Sequence, residues 1–182
     1  MKKTFPILFT IFVFSSFLVA QVIFDTFDIG AKPSTREGIE RQHFEGVYQK
    51  LKIKTITGKK IELSKVKAPI VIVNFWASWC LPCIKEFKSL NGLIDKLGKK
   101  KLLVVGINSD AENPKQTILK TQKKHKLLFD SIVDSEGTVA EKFMVSSLPY
   151  SIIYANGKFL AKSAGEFNFL EKGFLKKLQD IK

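Results

Sequence analysis

The residues best equipped for chemistry are Cys80 and Cys83, the only cysteines in a chain of 182 residues. They stand in Trp79-Cys80-Leu81-Pro82-Cys83, between an apolar run and a helical pattern. This spacing puts both sulfurs within bonding distance across a first helical turn. At a helix N-terminus a cysteine meets unpaired backbone N–H groups and the positive end of the dipole, which favour thiolate over thiol. The thiolate is the species that attacks a disulfide, through a mixed-disulfide intermediate. Cys80 is thus the candidate attacker, and Cys83, one turn further in, the candidate that resolves the intermediate. Pro82 stiffens the loop at a position that needs no N–H.

Other uses of two cysteines fit less well. Haem attachment needs His after the second Cys, where Ile84 stands. Zinc needs two more ligands, and the only histidines, His43 and His125, are not spaced for it. An inert staple across so short a loop restrains the unfolded chain weakly. Two rivals stay open. A thiol-dependent peroxidase would use the same sulfur, although such enzymes rely on an Arg beside it and none follows Arg41. A copper metallochaperone would exploit the affinity of soft thiolates for Cu(I).

A composition of 45% hydrophobic and 26% charged residues is that of a globular chain, long enough for one domain. The net charge is +13, yet Arg36 and Arg41 are the only arginines. Without the planar guanidinium fork that reads phosphates and guanine edges, a nucleic-acid partner is not expected. Two cysteines exclude a disulfide-dense scaffold. Lys99–Lys101 and Lys123-Lys124-His125-Lys126 read as solvated surface, with attraction to an anionic membrane or acidic proteins as the sharper alternative. His125 belongs to that run.

The elements that position the cysteines begin after an export segment. Met1-Lys2-Lys3 is a basic head and Phe5–Phe24 a mostly apolar body, a signal peptide or membrane anchor over 1–24. A cut after Ala20 fits; left uncut, the segment is long enough to cross a bilayer. The rest of the chain is exported either way. Residues 25–45 mix charges with Pro and Gly and read as a linker, which includes His43. The domain proper is 46–182.

Within it, Tyr48–Thr57 reads as a strand, Gly58-Lys59 as a turn and Lys60–Leu63 as the return of a hairpin. Ile70–Trp76 is a strand covered on both faces. Phe87, Leu90, Ile94 and Leu97 form the buried stripe of a helix closed by Gly98. Leu102–Ile107 is a second strand, and Asn113-Pro114 caps and opens another helix. A short strand at Ile132-Val133 and a small helix near Val139–Phe143 follow. Then Ser151–Tyr154 and Lys158–Ala161 pair across an Asn156-Gly157 turn. Leu170, Phe174, Leu178 and Ile181 stripe a terminal helix. This order implies an α/β sandwich with a mixed sheet.

The stretch from Asn74 to Phe87, with Val133-Asp134-Ser135-Glu136-Gly137 and Ser147-Leu148-Pro149 in the same order downstream, resembles the TlpA/ResA-like thiol–disulfide oxidoreductases of thioredoxin fold. The likeness runs from about Gly46 to Lys182. It implies a three-layer sandwich, a mixed central sheet flanked by helices, with an N-terminal hairpin and an inserted strand and helix. It also implies that Cys80 attacks, that Cys83 resolves and that Cys80–Cys83 is a redox-active disulfide needing no further cofactor. Pro149 matches the family's cis proline, and Leu148 before it presents its backbone to an incoming extended chain. Trp79, Leu81 and Pro82 complete the substrate-facing rim, with Trp76 and Trp79 shielding the motif. Asn74 stands where minimal thioredoxins bury an Asp that exchanges protons with the second cysteine. Asn cannot titrate, so Glu86 is the candidate proton acceptor, against a plain reading as a solvated helix-face carboxylate. Tyr150, in place of a frequent Thr, and Ile153-Tyr154-Ala155-Asn156 depart from the family pattern and bear on substrate preference. The partners implied are protein disulfides, such as those of apocytochromes awaiting haem, and a membrane thiol reductant. The compartment implied is the periplasmic or other extracytoplasmic face of the membrane.

Overall fold

A computed structural model of the chain describes residues 35–182. The export segment and residues 25–34 of the expected linker lie outside the described residues. Helix α1 covers Arg36–Lys50, so residues 36–45 are helical where the sequence suggests a linker, and Tyr48 lies in this helix, not in a strand. The reason is tertiary. Phe44 and Tyr48 are buried, the Tyr154 hydroxyl donates to the Phe44 carbonyl at 3.0 Å, and Arg41 donates to the Phe159 carbonyl at 2.8 Å. A helix held by a few anchors leaves no clear apolar stripe in the sequence. The hairpin that follows is shorter than expected: β1 is Lys52–Lys54 and β2 Lys60–Glu62, turning at Gly58 with φ +90°.

The central sheet has the order β5-β4-β3-β6-β7. Its strands are β3 (Ile70–Trp76), β4 (Leu102–Asn108), β5 (Asp130–Val133), β6 (Tyr150–Ala155) and β7 (Lys158–Ala164). The first three run parallel; β6 is antiparallel to β3, and β7 to β6. Every residue of β3 is buried, as its unbroken apolar run implies. Alternation sends Ile70, Ile72 and Trp76 into one core and Val71, Val73 and Phe75 into another.

The first core lies under α2 (Leu81–Leu97) and α5 (Lys172–Gln179) and takes in Ile118 of α3 (Pro114–His125). The second is covered by Phe44 and Tyr48 of α1, by β2 and by α4 (Thr138–Lys142). The result is the expected thioredoxin-like three-layer sandwich, with α3 and β5 as the inserted helix and strand. Two details differ. Asn113 makes no side-chain cap to α3 and sits left-handed at φ +43°. Leu170 and Ile181 flank α5 but do not belong to it. Asn156 and Gly157, both at positive φ, form the tight turn foreseen between β6 and β7.

Candidate functional site

β3 ends at Trp76, paired with Asn108 at the end of β4, and the segment 77–80 then climbs to the start of α2. Cys80 is the N-cap of that helix, in extended backbone at φ −84° and ψ 97°. Its Sγ accepts the Cys83 N–H at 3.3 Å, so one orphan donor of the first turn is aimed at the sulfur. Cys80 and Cys83 are joined in a disulfide with Cα atoms 5.3 Å apart. Cys83 is fully buried and Cys80 only 5% exposed, whereas Trp79 and Leu81 on either side are 68% and 73% exposed. A nearly covered disulfide thus carries an apolar rim open to solvent. Trp79, expected to shield the motif, is itself mostly exposed. Trp76 is core: its ring meets Phe87 edge-on at 5.3 Å and its Nε1 donates to Ser131 Oγ at 3.3 Å.

The Leu148–Pro149 peptide is cis. Tyr150 pairs with Phe75, which brings Pro149 in beside the end of β3, where the segment toward Cys80 departs. Leu148 packs against the cluster that contains both cysteines. Pro82 lies in the first turn of α2, where its missing N–H costs nothing. Tyr150 sets its ring edgewise to Phe75 at 6.5 Å.

Glu86 follows Cys83 by three residues on α2, so the two share a face. It is not a solvated carboxylate; it is 2% exposed. Its Oε1 accepts Asn74 Nδ2 at 2.7 Å and its Oε2 the Phe167 N–H at 3.3 Å. Burial pushes its pKa up to about 7, with the two donated hydrogen bonds acting against that rise and Glu166 adding to it. Asn74 also donates to Ser151 Oγ at 2.9 Å. The arrangement provides a buried group able to take or give a proton near neutral pH, one helical turn from the inner sulfur.

The sequence reading missed Asp110, whose carboxylate accepts from Ser78 N and Oγ at 2.9 to 3.2 Å and so ties down the segment before Cys80. The only trace in sequence is a polar Asn108-Ser109-Asp110 ending an apolar strand. Met144, at φ +53° and 55% exposed, was likewise not singled out. The histidines stand apart from this chemistry: His43 Nε2 donates to the Lys142 carbonyl at 2.8 Å, and the His125 ring packs near Phe87.

The pattern of the AhpC/TSA family matches residues 47–163. The chain is 32% identical over 125 residues to the thiol-disulfide oxidoreductase ResA of a Bacillus cereus strain, an alignment that covers 68% of this chain and 71% of the relative. It is 28% identical over 135 residues to ResA of Bacillus subtilis, with 74% and 70% covered. Among solved structures it is similar to StoA from Bacillus subtilis, with a TM-score of 0.59, 26% identity, and 71% of this chain and 96% of that chain covered.

Proposed function

The chain belongs to the TlpA/ResA-like thiol–disulfide oxidoreductases within the AhpC/TSA family, and we propose that it works as an exported reductant of protein disulfides through Cys80 and Cys83. The observation that carries this reading is the nearly covered disulfide at the N-cap of α2, rimmed by Trp79 and Leu81. In the reduced enzyme the Cys80 thiolate attacks a substrate disulfide and one substrate sulfur leaves as a thiolate, which takes a proton from water. Glu86 takes the proton of Cys83, and the Cys83 thiolate attacks Cys80 Sγ, releasing the second substrate thiol and closing the enzyme disulfide. Two electrons pass from the enzyme dithiol to the substrate. A membrane thiol reductant then restores the dithiol. Leu148 and Pro149 supply the backbone edge for an extended substrate chain, and Trp79, Leu81 and Pro82 its apolar contacts. Substrates of the apocytochrome kind, unfolded around a pair of cysteines, suit such an edge.

The peroxidase alternative lacks support in the placement of arginine, since Arg41 is engaged with the carbonyl and ring of Phe159. Peroxide turnover with an external reductant separates that alternative, and Cu(I) titration of the reduced protein separates the metallochaperone. The direct test is insulin disulfide reduction: Cys80→Ser abolishes it, while Cys83→Ser captures a partner as a mixed disulfide. Full activity in Cys80→Ser contradicts the proposal.

A further inference from the structure

The Asp110 carboxylate is 4% exposed, and among the described residues no Lys or Arg pairs with it. An isolated buried charge is costly and is retained only where hydrogen bonds satisfy it. Here they do. Ser78 N donates to both oxygens at 3.2 and 3.1 Å, Ser78 Oγ to Oδ1 at 2.9 Å and Asn108 Nδ2 to Oδ2 at 2.7 Å. Asn108 is braced in turn, its Oδ1 accepting the Asp110 N–H at 3.2 Å. The Ser135 hydroxyl donates to the Asp110 carbonyl at 2.6 Å, and Ser109 N–H to the Trp76 carbonyl at 3.0 Å. Every contact to the carboxylate brings it a hydrogen, so the end of β4 is built around a negative charge.

We propose that Asp110 is a positioning residue that opposes the helix N-terminus at Cys80, anchoring the approach segment while disfavouring the thiolate and so keeping the couple on the reducing side. Two peptide units separate Ser78 from Cys80, which places the charge on the order of 10 Å from the attacking cysteine. A stabilised thiolate stabilises the reduced form and makes an oxidant; a negative charge nearby does the opposite. The other charged groups about this corner carry both signs. Glu112 adds to the negative side of the groove between Trp79 and α3, and Lys120 lines that groove from α3. Asp134, on the β5 side, is committed to the Val139 and Ala140 amides that open α4. Glu86 stands on the far side, bonded to Asn74 and Phe167.

This inference rests on Cys80 being the attacking cysteine, and the experiment separates the two. The fully reduced full-length protein is alkylated across pH and the Cys80 midpoint compared among variants. Asp110→Asn should lower it by about half a unit, the effect of one charge at such a distance through a partly aqueous medium. Ser78→Ala, which keeps the charge and the amide bond, should leave the midpoint unchanged. Should Asp110→Asn fail to fold, Gln116→Lys sets a cation on the open side of the same groove and must lower the midpoint. No shift in the charge variants, or an equal downward shift in Ser78→Ala, overturns the role of Asp110. First capture at Cys83 in the reduced wild-type protein instead overturns the assignment of Cys80 as the attacker, whatever the charge variants do to the midpoint.

Discussion

Glu86 connects the chemistry of the site to the stability of the fold. Its folded pKa, about 7, lies above the usual carboxylate value of 4.5 because burial outweighs the bonds from Asn74 and Phe167. Between those values the folded protein holds a proton that the unfolded chain has released. The contribution of this group to stability is therefore greatest below about pH 4.5 and falls as pH rises toward and through 7, by on the order of 3 kcal/mol. Denaturant unfolding followed from pH 5 to 8 should show that decline in wild type and a flatter dependence in Glu86→Gln. An unchanged slope contradicts the burial argument. In catalysis the same group accepts a proton only when ionised, so resolution should slow below about pH 7 in wild type. It should also be slower by roughly 100-fold in Glu86→Gln at pH 8, measured as release of a preformed mixed disulfide. Sequence alone left Glu86 open between base and surface carboxylate, because the enclosing contacts come from Asn74 and from Phe167, 81 positions away.

Among the elements, β3, α2 and the β6–β7 hairpin were legible because each carries its own signal: an apolar run, a stripe closed by Gly98, an Asn-Gly turn. Helix α1 was not legible, since its stability comes from partners in β6 and β7. The site inherits this division. Cys80 and Cys83 were visible through local spacing, whereas Asp110 reaches Ser78 only through the pairing of β4 with β3. That pairing depends on Gly106, which stands opposite Asn74 on β3 and Ser131 on β5. A Cβ there would press on Ser131 Oγ and lie 2.6 Å from Trp76 Nε1, displacing both from their hydrogen bond. Gly106→Ala should cost about 1–3 kcal/mol in denaturant unfolding and alter the Trp76 fluorescence. A neutral substitution contradicts this packing.

For the whole molecule, the fold places the disulfide at one end of the sheet, where β3 and β4 end, and leaves the lysine-rich composition to the surface. The proposed export and anchoring rest on residues 1–24. Full-length protein expressed in cells should pellet with membranes and resist a salt wash, and recovery of a soluble form beginning near Gln21 contradicts the anchor without touching the redox reading. That reading stands on the sulfur at the N-cap of α2. It is tested most directly by the rate of iodoacetamide capture of Cys80 in the reduced protein as a function of pH. Even with Asp110 nearby, the midpoint should fall clearly below the ordinary cysteine value of about 8.5, with Cys83 unreactive until Cys80 is consumed. A midpoint at or above that value, or first capture at Cys83, contradicts the account.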